Sequence, residues 1–387
     1  MTVNAGTSDG GRPRARDAGL VLGTLPAGPF NAITDVPGVL VGHVTLILGD
    51  GPLVPGQGPV RTGVTVILPH PGNIFLEKVP AAVFVMNGFG KSIGQEQIDE
   101  LGVIESPIAL TNTLNVGIVA DGLVEHAIRT NPDIAIATTS FNPVVGECSD
   151  QGLNDMQGRH VRQEHILAAI AAAEGGPVAE GCAGAGTGMS LFGFKGGIGT
   201  ASRRLPATLG GFTVGVLVLG NFGRRDQLMI GGVPVGQALA GWDPGEQVPE
   251  RGSCMVIVAT DAPLLDRALR RLARRAPLGL ARTGSIAGHS SGDYIIAFST
   301  GLRLLHLPRE PILSLPHVAE GYAAGRESLI DELFQATVEA TEEAVVNALF
   351  RATTMTGRDG RVVHALPLQE TLAILNQAGR LVSTGQV

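Results

Sequence analysis

Gly252-Ser253-Cys254-Met255-Val256-Ile257-Val258-Ala259-Thr260 joins a serine to an apolar, largely β-branched run, and 255–260 reads as a buried β-strand. The segment before it, Gly241-Trp242-Asp243-Pro244-Gly245-Glu246-Gln247-Val248-Pro249-Glu250-Arg251, reads as a surface loop because proline, glycine and charge crowd together there. Ser253 is therefore expected at the mouth of a core strand, held firmly yet reachable. Were the Gly252–Ser253 bond to break, Ser253 would carry its own α-amine, a base near neutrality with an ordinary pKa of about 7.7 to 8.0. Nucleophile and base would then belong to one residue. Glycine on the acyl side would leave the carbonyl open and the backbone free to strain. By spacing alone, however, Gly-Ser before a strand is more commonly a plain turn.

Outward from this stretch, short apolar runs at 39–44, 63–68, 81–86, 134–138, 212–219 and 294–298 read as further strands, and helical periodicity marks 94–101, 115–129, 165–173, 263–275 and 328–351. The pattern is that of a mixed α/β protein. No repeat or low-complexity linker divides it, so one compact domain over 1–387 is expected, preceded by a loose polar arm at 1–18.

Charge and composition exclude several functions. With 28 Lys+Arg against 35 Asp+Glu the net charge is −7, which argues against a nucleic-acid clamp, and the five arginines of 267–275 flank leucines at helical spacing as a solvated or subunit-facing surface. Charged residues are 16% against a usual level of about 25%, and apolar residues are 44%, so a large core is available. Glycine is abundant (55 residues) and aromatics scarce (4%), which predicts tight turns and a core of small aliphatic side chains. The most apolar long segment, 205–223, carries Pro206, Asn221 and glycines and reads as a strand, with no membrane span and no secretory leader expected; a cytoplasmic protein follows. Cys148, Cys182 and Cys254 are isolated and odd in number, as reduced thiols are, and no zinc motif is present. Cys254, beside Ser253, is expected on the opposite strand face as a small core residue.

Two motifs read as accidents. Asn87-Gly88-Phe89-Gly90-Lys91-Ser92 resembles the end of a phosphate-binding loop, but Val85 stands where the first glycine is needed. Gly288-His289-Ser290-Ser291-Gly292 matches the nucleophile elbow of esterases, which requires a helix after the serine, whereas 293–298 is strand-like.

Taken together, Asn31-Ala32-Ile33-Thr34-Asp35-Val36-Pro37-Gly38-Val39, Leu110-Thr111-Asn112-Thr113, Gly184-Ala185-Gly186-Thr187-Gly188-Met189, Phe194-Lys195-Gly196-Gly197-Ile198-Gly199-Thr200, Gly252-Ser253 and Ala259-Thr260-Asp261-Ala262-Pro263 resemble the DmpA-like L-aminopeptidase/D-esterase/D-amidases, relatives of the β-peptidyl aminopeptidases. The resemblance implies an αββα sandwich like that of N-terminal-nucleophile hydrolases and a precursor that cuts itself into 1–252 and 253–387. It further implies Ser253 as nucleophile, Ser291 and Asp293 as its support, Asn221 as oxyanion donor, and neither metal nor organic cofactor. Substrates would be small peptides, amides or esters with a free N-terminal amine, and the cleaved pair would assemble as a homo-oligomer. Glu147 is the expected partner of the substrate amine, the alternative being a carboxylate occupied by a backbone N–H. The family's acidic residue is glutamate in its β-peptidyl members, where this chain has the shorter Asp293. Some members have a tyrosine where Ser149 stands, and glutamate is common at Lys91. Alternatives left open are a non-maturing binding subunit and an elbow-type esterase acting through Ser290.

Overall fold

A computed structural model describes residues 11–242, 252–319 and 328–382. Two β-sheets face one another. The first contains β1 (Leu40–Leu48), β2 (Val60–Leu68), β4 (Ile108–Asn112) and β5 (Val144–Cys148) in that order, antiparallel except for the β4–β5 pair. The second runs β3 (Glu77–Gly88), β9 (Gly292–Ser299), β8 (Ser253–Thr260), β7 (Thr213–Asn221) and β6 (Ile198–Arg204), with β8 and β9 its parallel neighbours. Outside the sheets lie α2 (Val116–Thr130) and α3 (Gln163–Ala171) on one side. On the other lie α4 (Asp266–Ala273), α5 (Ala276–Arg282) and α6 (Leu329–Arg351). A shorter helix, α1 (Gln95–Leu101), follows β3.

Three apolar layers glue this αββα stack. Along β8, Cys254, Val256 and Val258 enter the layer beneath α4 to α6, while Met255, Ile257 and Ala259 enter the layer between the sheets. A strand buried on both faces reads as an unbroken apolar run, which is why 255–260 was legible. Val64 and Val66 of β2 pack instead toward Val119, Leu123 and Ile166 of α2 and α3. Helix α6 is buried nearly all round, and its buried Glu339 and Glu343 are matched by Arg203 of β6.

Two sequence expectations need correction. Residues 134–138 form a turn, not a strand: the N–H groups of Ile136, Ala137 and Thr138 all converge on the Asp133 carbonyl, and Ala135 takes φ 59°, so local turn chemistry after Asn131-Pro132 wins. Residues 11–18 are no loose arm. Ala15 is buried, Arg12 donates to the Phe350 and Leu366 carbonyls, and Arg16 pairs with Glu343. Residues 1–10 of the expected arm and 243–251 of the expected loop lie outside the described residues. In the arginine-rich helix, expected as a solvated or subunit-facing surface, Arg267 and Arg274 are exposed, while Arg271 and Arg275 lie over the Phe334 ring and Arg270 pairs with Asp99. Among the described residues no helix is long and apolar enough to cross a membrane.

Candidate active site

Strand register assembles the site. Ser253 opens β8, facing Asn221, the last residue of β7, on one side and Gly292, the first residue of β9, on the other. Residues 32 positions before Ser253 and 39 positions after it thus reach the same sheet end. From the facing sheet, β5 ends at Cys148, and the backbone N–H of the next residue, Ser149, donates to Ser253 Oγ at 3.1 Å. Because that bond is made by the main chain, the lack of a tyrosine at position 149 does not affect it.

Behind the junction, Ser291 Oγ donates to Asp293 Oδ1 at 2.6 Å, and Asn87 Nδ2 donates to Asp293 Oδ2 at 2.8 Å. Asn87 lies directly across from Asp293 in the β3–β9 register, which breaks between Asp293 and Tyr294. Burial raises the Asp293 carboxyl above its ordinary value, opposed by these two hydrogen bonds. The aspartate, although shorter than glutamate, therefore reaches Ser291. A Cβ at position 252 would lie 2.7 Å from Ser291 Oγ, so any larger residue there would displace that hydroxyl. Its carbonyl accepts from Gly292 N at 3.3 Å.

Asn221 is fixed from the other side: its Oδ1 accepts from Ser190 N at 2.9 Å and Ser190 Oγ at 3.3 Å, which settles which end of the carboxamide is the donor. A cavity of about 350 Å³ opens over Ser253 and is lined by Glu147, Thr113, Lys91, Phe89 and Met156 among others. Glu147 is 3% exposed; it accepts from Lys91 N at 3.0 Å through Oε1 and from the Thr113 hydroxyl through Oε2. The backbone contact that was the alternative reading is present, yet an ionised carboxylate has about four acceptor positions and keeps capacity toward the cavity. Lys91 turns away, its Nζ donating to the Phe89 carbonyl at 2.5 Å and lying over that ring, so no side-chain charge from it meets Glu147.

Asn87, Thr113 and Ser190, which hydrogen-bond to Asp293, Glu147 and Asn221, were not expected at this site, although the first two lie within the Asn87–Ser92 and Leu110–Thr113 motifs. Ser290 is exposed in a turn that runs into β9, with no helix following, so the elbow geometry is lacking. Cys254 faces the helix-side layer, and its thiol is pushed well up by burial. Among the described residues the three cysteines are unpaired and buried, and no group of histidine, cysteine and carboxylate side chains is placed to hold a metal.

The signature of peptidase family S58 matches residues 31–363. A β-peptidyl aminopeptidase, BapA, of Sphingosinicella xenopeptidilytica is 42% identical over 386 residues, covering 96% of this chain and 93% of the relative. Among solved structures, the PH0078 protein of Pyrococcus horikoshii is 51% identical with a TM-score of 0.88, spanning 95% of this chain and all of that one. An L-aminopeptidase D-Ala-esterase/amidase of Ochrobactrum anthropi, a prototype serine aminopeptidase and a variant of the Ntn hydrolase fold, is 40% identical with a TM-score of 0.87, over 96% and 100% of the two chains. The αββα sandwich is accordingly an Ntn-hydrolase fold.

Proposed function

The chain belongs to peptidase family S58 and is a hydrolase of the aminopeptidase type, and from that premise we propose that it matures by cutting itself before Ser253, which then serves as its N-terminal nucleophile. The observation that carries this reading is the shared sheet end: Ser253, Asn221, Ser291–Asp293 and the Gly252 carbonyl meet beside a cavity that holds Glu147. In the precursor, Ser253 Oγ attacks the Gly252 carbonyl carbon; the C–N bond breaks as the C–O ester forms, the proton passes to the departing nitrogen, and water hydrolyses the ester. The Gly292 N–H is aimed at the oxygen on which charge develops. Fragments 1–252 and 253–387 stay together as one compact catalytic domain.

In the mature enzyme the freed α-amine takes the Ser253 hydroxyl proton. Ser291, its own proton committed to Asp293, offers a lone pair that can orient that amine. Ser253 Oγ attacks the substrate carbonyl, Asn221 steadies the oxyanion, the amine returns the proton to the leaving nitrogen or oxygen, and water releases the acyl group. Glu147 holds the substrate ammonium, which restricts cleavage to N-terminal residues of small peptides, amides or esters. Size measurement by light scattering tests the homo-oligomer that accompanies this reading.

Intact mass spectrometry with N-terminal sequencing is the direct test. Active protein should contain a fragment beginning at Ser253, and Ser253→Ala should remain a single chain with turnover reduced by at least about 10⁴-fold. Full activity from an uncut chain, or an active Ser253→Ala protein, sinks the assignment; an inactive Ser290→Ala protein with Ser253→Ala intact would point to the elbow instead.

A further inference from the structure

A second cavity, of about 210 Å³, adjoins the one over Ser253, sharing Ser149 and Gln151 with it and reaching Asn221 and Ser190. Its far wall carries Arg358 and Arg361. Both sit on a small hairpin in which Met355–Thr356 pairs with Val362–Val363. The hairpin is pinned against the body: Arg358 N donates to the Leu153 carbonyl at 2.9 Å, Asp359 N to the Gly51 carbonyl at 2.8 Å, Leu53 N to Asp359 Oδ1 at 2.8 Å, and Arg61 Nε to the Thr356 carbonyl at 2.7 Å. The arginines are thus presented from a fixed platform, the condition for selective binding.

Their charge is only partly met locally. Arg358 Nε forms a long ion pair with Asp359 Oδ2 at 3.7 Å but has no hydrogen-bond acceptor. Among the described residues the Arg361 side chain has no hydrogen bond or ion pair. Two arginines lining a concave space are suited to a carboxylate, which planar guanidinium forks can grip through paired N–H donors. The adjoining cavity has the opposite sign, with Glu147 in its wall.

We propose that this cavity is a subsite for the free α-carboxylate of the departing residue, making the enzyme selective for short, zwitterionic peptides. The proposal rests on the reading in which Glu147 takes the substrate amine and Ser253 the carbonyl. With those ends fixed, the chain beyond the scissile bond passes Ser149 and Asn221 and enters the arginine-lined space. A dipeptide fits this polarity at both ends; its C-terminal amide fits at only one.

The test compares kcat/KM for an Xaa-Ala dipeptide and the same Xaa-Ala amide, Xaa being the residue best accepted as its p-nitroanilide. The wild type should favour the free acid by about tenfold or more, the scale of one charged hydrogen bond. In the Arg358→Gln/Arg361→Gln double variant that ratio should fall close to one, with the paired Lys replacements keeping part of it. Turnover of the amide by each variant shows that it is folded, and the preference should weaken with added salt. An acid-to-amide ratio near one in the wild type, or one that survives the double substitution, overturns the subsite while leaving the hydrolase reading intact if the p-nitroanilide is cleaved. A protein inert toward all three compounds overturns both.

Discussion

Two buried polar regions of this molecule are built on opposite terms. Between β6 and α6, Arg203 donates to Glu339, Glu343 and the carbonyls of Ser202 and Leu22. Glu343 also accepts from Arg16 and Asn31, and Glu339 from the Thr24 and Leu25 N–H groups. Burial pushes the Glu339 carboxyl up, but those backbone N–H groups, Gln335 and the Arg203 charge together hold it below its ordinary value. All three guanidinium nitrogens of Arg203 meet acceptors inside the protein. At the Ser253 end the accounts are left open: Asp150 Oδ2 is buried without a partner, Asp293 is raised by burial, and Glu147 and two arginines face cavities. The closed network locks the N-terminal segment and α6 onto the sheet, whereas incomplete pairing beside a cavity leaves groups able to meet a ligand.

The contrast breaks most visibly at Arg203. Arg203→Met should cost about 3 to 5 kcal/mol in unfolding free energy, because Glu339 would lose its charged partner and Glu343 would keep only Arg16, while turnover per folded molecule at low temperature stays near wild type. Denaturant titration alongside steady-state rates checks both halves; a large loss of turnover with unchanged stability would reverse the assignment of the two regions.

Asp150 sharpens the same contrast through pH. Burial pushes its carboxyl up to about 7, although the hydrogen bond from Asn154 pulls the other way. The folded state therefore holds a proton that the unfolded chain gives up near pH 4, so stability is fullest below that value and is lost as pH rises toward 7. Asp150→Asn, which keeps the acceptor facing Asn154, should remove up to about 4 kcal/mol of that slope. Parallel unfolding curves for both proteins between pH 4 and 8 would show an excess for the variant that grows with pH; a constant difference contradicts the buried acid.

At Asn221 the expected effect is kinetic. Asn221→Ala should lower kcat by about 10²- to 10³-fold, the range for one oxyanion donor, without a comparable change in KM. Smaller again is the effect of Glu147→Gln, which should reduce the preference for free over N-acetylated substrates by about 100-fold or less and leave self-cleavage intact. If both variants changed only thermal stability, this end of the sheet would be structural like the other.

Much of this was readable in advance, for definite reasons. Strands β8 and β9 are buried on both faces and carry unbroken apolar runs, so pattern alone found them. Strands β5 and β6 were missed because Val144-Val145-Gly146-Glu147-Cys148 contains a buried acid and Ile198-Gly199-Thr200-Ala201-Ser202-Arg203-Arg204 ends in arginines, one of them paired to a helix more than a hundred residues away. Ser253 was singled out by its place before a buried strand, and Ser291, Asp293, Asn221 and Glu147 were expected near it by resemblance to a family, whereas Asn87, Thr113 and Ser190 were not, since each bonds to another side chain across a strand or sheet.

The sequence by itself determined much of the alternation of strands and helices, the buried strand that follows Ser253 and the inward facing of Cys254, because these depend on residues adjacent along the chain. Only the tertiary structure decided that Ser291 fills the space where a Cβ at position 252 would lie, that Asn87 holds Asp293, and that Arg358 and Arg361 line one cavity with Asn221. Those relations depend on strand register and on the docking of a distant hairpin, and local periodicity carries no record of which segments will meet.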